Sequence, residues 1–519
     1  MSNARIHARN LLANWVGHGA NVVVLFFLSP FVVHTLGKTE FGIWSLLNVV
    51  TGYMGLFDIG VRSSTGRYII FYLGREDHKS VGETIRTGLG FFSVIGLLIL
   101  AAGFVAGLLF PVFFPTSPPQ YQGLVAWLLP VLAIGVWCSA LEAVFSSVLT
   151  GHERFDLARG VDLVVLAVRT AGTVAALKLG YGLIGMTVAT VACHGIGVGG
   201  NWWLARRVYP AMKAWPFALT WARLKELLGY GLAAFVGRAS AKVIGQTSLI
   251  VVGAIISVAA VTTYSVGAML VFYTWSFLEL IGQTLFPSLQ KASARGDEES
   301  ERWYYLRQIR MTIMFGLPAY LGFILLGREF IRLWMGGPGF DETAVAQAAA
   351  VMAILSLARL LALHSFAPSS LLWARGYVWF DTLFSAVEAA ANLGLGVVLV
   401  LVFDLDLYGV ALGSLIAMVL VRGLVIPWRA NYLLGIRWRR FLGLAVAAGA
   451  SAALFGGWCL LIVRVVPPSS WGLFAADIVA ALLGYAVIAI VLLVPRSDRE
   501  RLLRVVRGWA GRNQTPRET

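Results

Sequence analysis

Charge is what this chain has least of: Asp, Glu, Lys and Arg supply 13% of its 519 residues, about half the share found in soluble domains. Hydrophobic residues reach 58%, with a mean hydropathy of +0.78. No polar gap is long enough to fold by itself. Cysteine is scarce as well. Cys138, Cys193 and Cys459 all fall inside apolar runs, without metal-ligand spacing, which excludes a disulfide framework and predicts three buried free thiols. Enzyme signatures are missing too. The chain has no GxxxxGK[ST] loop for ATP, no HExxH or spaced Cys/His set for a metal, and no G-x-S-x-G turn around a nucleophile. It is expected not to be an enzyme and to need no cofactor; uphill transport would draw on a proton or sodium gradient. The enzyme alternative, a membrane glycan polymerase or glycosyltransferase, would ordinarily carry carboxylates on a sizeable extramembrane loop.

What is present is a succession of apolar runs. They lie near residues 11–36, 42–72, 87–110, 123–149, 160–179, 182–205, 227–252, 257–289, 309–327, 345–372, 382–402, 407–428, 441–463 and 473–494, each long enough to cross about 30 Å of hydrocarbon. The fold class expected is an all-α polytopic membrane protein of about 14 transmembrane helices. The second and eighth runs are long enough to be tilted, bent or extended. The first run follows basic residues and lacks an A-x-A cleavage site, so it reads as an uncleaved span.

An excess of basic residues, +15 net, would suggest nucleic acid in a soluble protein. Here the basic residues sit in short gaps and report orientation instead, so no nucleic-acid partner is expected. The termini and one set of alternate loops hold 29 Lys and Arg, and the opposite loops hold five: Lys38, Lys178, Arg328, Arg332 and Arg464. An even number of spans then places both termini in the cytoplasm. The basic RWRR segment at 437–440 and the Arg-rich tail 496–519 fit anionic lipid headgroups, the tail as a surface helix. Most of the 18 Trp are expected to be interfacial anchors.

Displacing the chain by about 220 residues lays Leu73-Gly-Arg-Glu-Asp77 over Ser293-Ala-Arg-Gly-Asp297, Ser146-Ser147 over Ser369-Ser370 and Gly185 over Gly409. This pattern predicts a parallel repeat: an N-lobe of six helices at 1–210, a C-lobe of six at 226–430, and two further helices at 431–495.

Seven basic residues lie within spans, and the segment GLAAFVGRASAKVIGQTSLIVVG (231–253) holds Arg238 and Lys242, with Gln246 one turn on. At 3.6 residues per turn the three share one helix face. A cation at mid-bilayer costs about 2.5–3.5 kcal/mol, so that face needs water, an anion or an acidic partner on a neighbouring helix. Asn14, His18 and Asn21 form a polar stripe on the first span. Asp58 and Arg62 stand at i,i+4, the spacing of an intrahelical ion pair. Glu279 offers Arg62 or Arg67 a partner, which would make these four an ion pair or a gate. Glu142, Asp162 and Arg169 are expected to satisfy one another.

The segments LGKTEFGIWSLL (36–47), LFDIGVRSSTGRYI (56–69), VLTGHERF (148–155) and YGLIGMTVAT (181–190) resemble the polysaccharide-transporter and oligosaccharide-flippase proteins. Those share a superfamily with multidrug and toxic-compound exporters and the lipid II flippase. The resemblance implies translocation of an undecaprenyl-pyrophosphate-linked oligosaccharide or polysaccharide intermediate from the cytoplasmic to the periplasmic leaflet of the bacterial inner membrane. It also implies alternating access through a cationic lumen and a lipid-facing groove made by the last two helices. Glycan polymerase and glycosyltransferases would be its partners beside membrane lipids. On that reading Arg238 and Lys242 bind pyrophosphate, and Asn14, His18, Asn21 and Gln246 bind sugar hydroxyls. An ion-coupled drug antiporter of the same superfamily is the alternative, and its lumen should favour acids.

Reporter fusions after Arg207, Arg295 and Arg440 should read as cytoplasmic, and fusions at Ser117 and Pro338 as periplasmic. Inversion at any two of these would overturn the topology.

Overall fold

In hydrocarbon a backbone must satisfy its hydrogen bonds within its own segment, so long apolar runs become helices. The computed structural model describes residues 3–494 and 499 except 59, 213, 216 and 437; the side chains of 3–16, 18, 230–234, 236–238, 240, 241 and 437–442 lie outside that description. Among the described residues the chain is helical throughout, with one isolated bridge between Gly337 and Phe340. In chain order the α-helices are α1 (Asn3–Met54), α2 (Val61–Leu73), α3 (His78–Phe113), α4 (Pro119–Gly151), α5 (Phe155–Lys178), α6 (Gly182–Val208), α7 (Trp221–Val251) and α8 (Val258–Ala294). They continue as α9 (Glu298–Met335), α10 (Glu342–Leu361), α11 (Phe366–Ala374), α12 (Val378–Leu401), α13 (Asp406–Met418), α14 (Ile426–Leu433), α15 (Trp438–Val465) and α16 (Trp471–Leu492).

Twelve helices among the described residues are long and apolar enough to cross a membrane, and the protein is a multi-pass membrane protein. The difference from about fourteen is local. Gly19–Asp58 counts as one span of 40 residues, yet it is broken at Gly37, whose φ of 76° and ψ of 173° are not helical. The apolar part of α7 is described only over Lys242–Ile256. The long second run is bent as well: a 3-10 turn at Gly55–Asp58 and a left-handed Gly60 separate α1 from α2. Large apolar side chains such as Phe27, Val112, Trp127 and Leu483 stay exposed, as surroundings as apolar as Leu allow.

The chain forms two compact units, Met1–Ser265 with Gly337–Asp341, and Val266–Gly336 with Glu342–Thr519. In the first, Val81, Ile85, Leu89 and Phe92 of α3 pack with Val144 and Val148 of α4 in one core that also takes in Leu227 of α7. In the second, Leu372, Val421 and Ile426 form one cluster and Ala358, Ala362 and Met418 another.

Corresponding turns of the two units repeat atom for atom. Ahead of α3, Glu76 is left-handed, Asp77 N–H bonds the Tyr72 carbonyl at 3.0 Å, and the Asp77 carboxylate caps Ser80 N–H at 3.0 Å. Ahead of α9, Gly296 is left-handed, Asp297 N–H bonds the Ala292 carbonyl at 3.1 Å, and Asp297 caps Ser300 N–H at 3.0 Å. The hydrogen bonds from these serines hold both carboxyls below the ordinary Asp range. A second pair of turns matches likewise: left-handed Glu153 with Arg154 N–H on the Leu149 carbonyl, and left-handed Gly376 with Tyr377 N–H on the Leu372 carbonyl.

Arg223 joins α7 to the rest of the first unit. Its guanidinium reaches Glu83 of α3 at 3.1 Å, Glu226 at 3.0 Å, the Tyr72 hydroxyl at 2.5 Å and the Ser80 hydroxyl at 2.6 Å. Tyr72 in turn donates to Glu226 at 2.8 Å. Arg223→Ala leaves two carboxylates facing each other, so it should lower stability by about 1.5–3 kcal/mol, read as a fall in melting temperature of the detergent-purified protein. Arg223→Lys should recover only part, because a point charge cannot reproduce the forked donors of a guanidinium.

Candidate functional site

In the first unit α7 lays Lys242 and Gln246 against α1. A Cβ built on Gly52 would stand 2.7 Å from both Lys242 Nζ and Gln246 Oε1, so the i,i+4 spacing does bring these two together, at a glycine. No carboxylate lies within ion-pair distance of Lys242 among the described residues, and Gln246 Oε1 is buried without a hydrogen-bond partner. One residue on, Tyr53 and Thr247 hydroxyls share a 2.6 Å hydrogen bond that fixes α1 to α7. Arg238, His18 and Asn14 have side chains outside the described residues.

The other polar groups of this unit are mostly engaged. Asn21 accepts from Arg169 at 3.5 Å. Arg62 Nε stands 3.6 Å from Asp58, and its Nη2 donates to Ser139 at 3.2 Å. Asp58 also accepts from Gly60 N–H at 2.8 Å, which stabilises the bend between α1 and α2. The Arg67 guanidinium lies 5.9 Å from the Tyr68 ring. Glu142, Asp162 and Arg169 do not form the triad expected of them. Glu142 accepts from Asn201 of α6 at 3.0 Å and has His194 at 4.0 Å. Asp162 takes Arg159 at 2.7 Å, since three residues along one helix is a shorter reach than a crossing to α4.

The second unit holds a further set of charges centred on Arg422. Arg422 sits in a π-helical stretch, Val419–Val425. Its guanidinium reaches Glu388 at 2.7 Å, Asp381 at 3.7 Å, Ser369 at 3.1 Å and Ser385 at 2.7 Å. Asp381 further accepts from Ser369 at 2.8 Å and from the Trp373 indole at 2.9 Å. In the same stretch the Gly423 carbonyl is met by His364 Nε2 at 3.0 Å. Glu279 belongs to this unit, on α8, and is exposed. A cavity of about 300 Å³ opens between α9, α10 and α15, lined by Ile309, Ile313, Leu317, Leu361, Leu444 and Ala448 among others. Among the described residues no group of three or more His, Cys, Asp or Glu is placed to hold a metal.

Residues 32–338 match a family described as polysaccharide biosynthesis protein. The uncharacterised membrane protein EpsK of Bacillus subtilis is 22% identical over 97% of this chain and 98% of its own length. A Shigella flexneri protein named as an O-antigen transporter is 26% identical over 29% of this chain and 35% of its own. In fold, the chain is similar to the lipid II flippase MurJ in an inward closed conformation, with a TM-score of 0.67, 14% identity, and coverage of 93% of this chain and 98% of that one. It is equally similar to an inward-facing multidrug resistance transporter of the MATE family and MOP superfamily, with a TM-score of 0.68, 15% identity, and coverage of 79% and 95%.

Contact at Gly52 has a thermodynamic signature. Gly52→Ala should be tolerated, because the new methyl meets only the ends of two flexible side chains. Gly52→Leu should cost about 1–3 kcal/mol by overpacking. Adding Lys242→Ala to Gly52→Leu should restore most of that loss, and additive melting shifts in the double variant would show that the two residues do not touch.

Proposed function

Because the chain belongs to the polysaccharide biosynthesis protein family, we propose that it is a flippase carrying an undecaprenyl-pyrophosphate-linked oligosaccharide or polysaccharide intermediate from the cytoplasmic to the periplasmic leaflet of the bacterial inner membrane. The observation that carries this reading is Lys242: a cation in an apolar span, beside the unpartnered Gln246 carbonyl, with no carboxylate of the described residues to neutralise it. A stranded cation in a span is costly. An anionic cargo supplies the missing charge, and the amide offers sugar hydroxyls a hydrogen bond. A cation exporter of the same fold would want an acid where Lys242 stands.

The rest of the cargo fits the apolar surfaces. A polyprenyl tail stays in lipid or against the cavity between α9, α10 and α15, while the pyrophosphate and sugars need the polar interior. Arg238, one turn before Lys242, adds a forked donor to the point charge. Asn14, His18 and Asn21 complete the sugar-facing set. Rocking of lobe 1–210 against lobe 226–430, both termini cytoplasmic, alternates access. A proton or sodium gradient, or removal of the flipped product by a glycan polymerase, drives the cycle. Asp58, Arg62, Arg67 and Glu279 act as the gate that opens and closes in it.

A charge-assisted hydrogen bond contributes about 1.5–3 kcal/mol, so losing one should weaken binding roughly ten- to a hundredfold. Arg238→Ala and Lys242→Ala should abolish glycan export while membrane abundance is kept, and Arg238→Lys should rescue only partly. Normal export by a stable double variant would end the pyrophosphate assignment.

A further inference from the structure

The second unit contains a cation that its own charge network leaves out. Arg359, in the last turn of α10, is 8% exposed. Its guanidinium carbon lies 4.0 Å from the ring centroid of Trp275 and 5.7 Å from that of Phe272, both on α8. Phe366 of α11 stacks on the same indole, with centroids 4.1 Å apart and planes at 26°. The guanidinium and the phenyl ring thus both lie against the one indole.

Attraction to a ring face engages the charge of a guanidinium and does not by itself supply acceptors for its five N–H donors. No hydrogen bond or ion pair joins Arg359 to any described residue. The acids nearest in electrostatic terms are Glu388 and Glu279, with Tyr320 and the like-charged Arg422 also facing it. Glu388 is already bonded to Arg422 at 2.7 Å, and Glu279 is exposed. A cation held on an aromatic stack, nine-tenths buried and with its edge donors unused, is built to receive a planar or tetrahedral oxyanion.

We propose that Arg359, held by Trp275 and Phe366, is a phosphate-type oxyanion site in the second unit, separate from the Lys242 face. It deepens the flippase reading, resting on that reading only for one of two sources: the pyrophosphate of the cargo or the phosphate of a membrane lipid. In the first case it is a second resting place for the head group during transport. In the second it holds an anionic lipid against the protein.

The test uses the full-length protein and two probes, inorganic pyrophosphate added in detergent and nanodiscs of phosphatidylglycerol against phosphatidylcholine. Binding is read as a rise in melting temperature that grows with probe concentration. Arg359→Gln should lose at least roughly tenfold in affinity for the effective probe, whereas Arg295→Gln, an equal loss of charge at an exposed loop, should not. Dependence on pyrophosphate assigns the site to the cargo head group, and dependence on phosphatidylglycerol assigns it to lipid. Wild-type response of Arg359→Gln to both probes would overturn the proposal.

Arg359→Gln gives up the contact with Trp275 as well as the charge, so Arg359→Lys is measured beside it. A lysine keeps a cation near the ring but loses the forked donors, so it should fold as wild type does and still lose most of the oxyanion response. A folded Arg359→Lys that responds to both probes as wild type does would also overturn the proposal. Lys242→Ala is measured alongside. If pyrophosphate binding vanishes there and persists in Arg359→Gln, and Arg359→Gln also responds to phosphatidylglycerol as wild type does, the flippase reading stands and the Arg359 site falls.

Discussion

A charged side chain in hydrocarbon must find its counterpart within the protein, in water or in a ligand, and the placement of nearly every polar residue here answers to that demand. Most are answered locally. Arg422 gathers Glu388, Asp381 and two serine hydroxyls; Glu142 gathers Asn201 and approaches His194; Arg169 finds Asn21. Against this background the two cations without such partners among the described residues, Lys242 and Arg359, stand out as chemistry that folding by itself does not require. A chain that needed only cohesion would be at least as stable with apolar residues at both positions.

Spans were legible in the sequence because lipid imposes length and apolarity on every one of them. The bend in the second run was legible only as excess length; its cause, the Asp58 carboxylate on Gly60 N–H, is a three-residue detail no hydropathy sum contains. The Lys242–Gln246 face was legible because helical periodicity is local. Partners of embedded charges were not. Arg169 and Asn21 are 148 residues apart, and the expected grouping of Arg169 with Glu142 and Asp162 failed because sequence proximity of spans does not state which faces meet. The aromatic seat of Arg359 depends on α8 and α11, which no spacing rule connects to α10.

The turns before α3 and α9 share one geometry on different residues. Glu76 and Gly296 share a left-handed backbone, and Asp77 and Asp297 share a cap, though few of the surrounding side chains agree. A carboxylate that caps the next helix start sets the exit direction of a chain leaving one span for the next. Such a turn constrains geometry more tightly than composition.

The π-helical stretch at Val419–Val425 ties the length of this segment to the packing on both sides of it. A π turn closes its hydrogen bonds over five residues where an α-helix closes them over four, so it fits extra chain into one turn. Removing a residue there would restore α-helical geometry only by turning α14 against α13 by about 100° around the axis. Arg422, which stands inside the stretch and bonds Glu388 and Ser385, would be carried out of reach of one flank or the other.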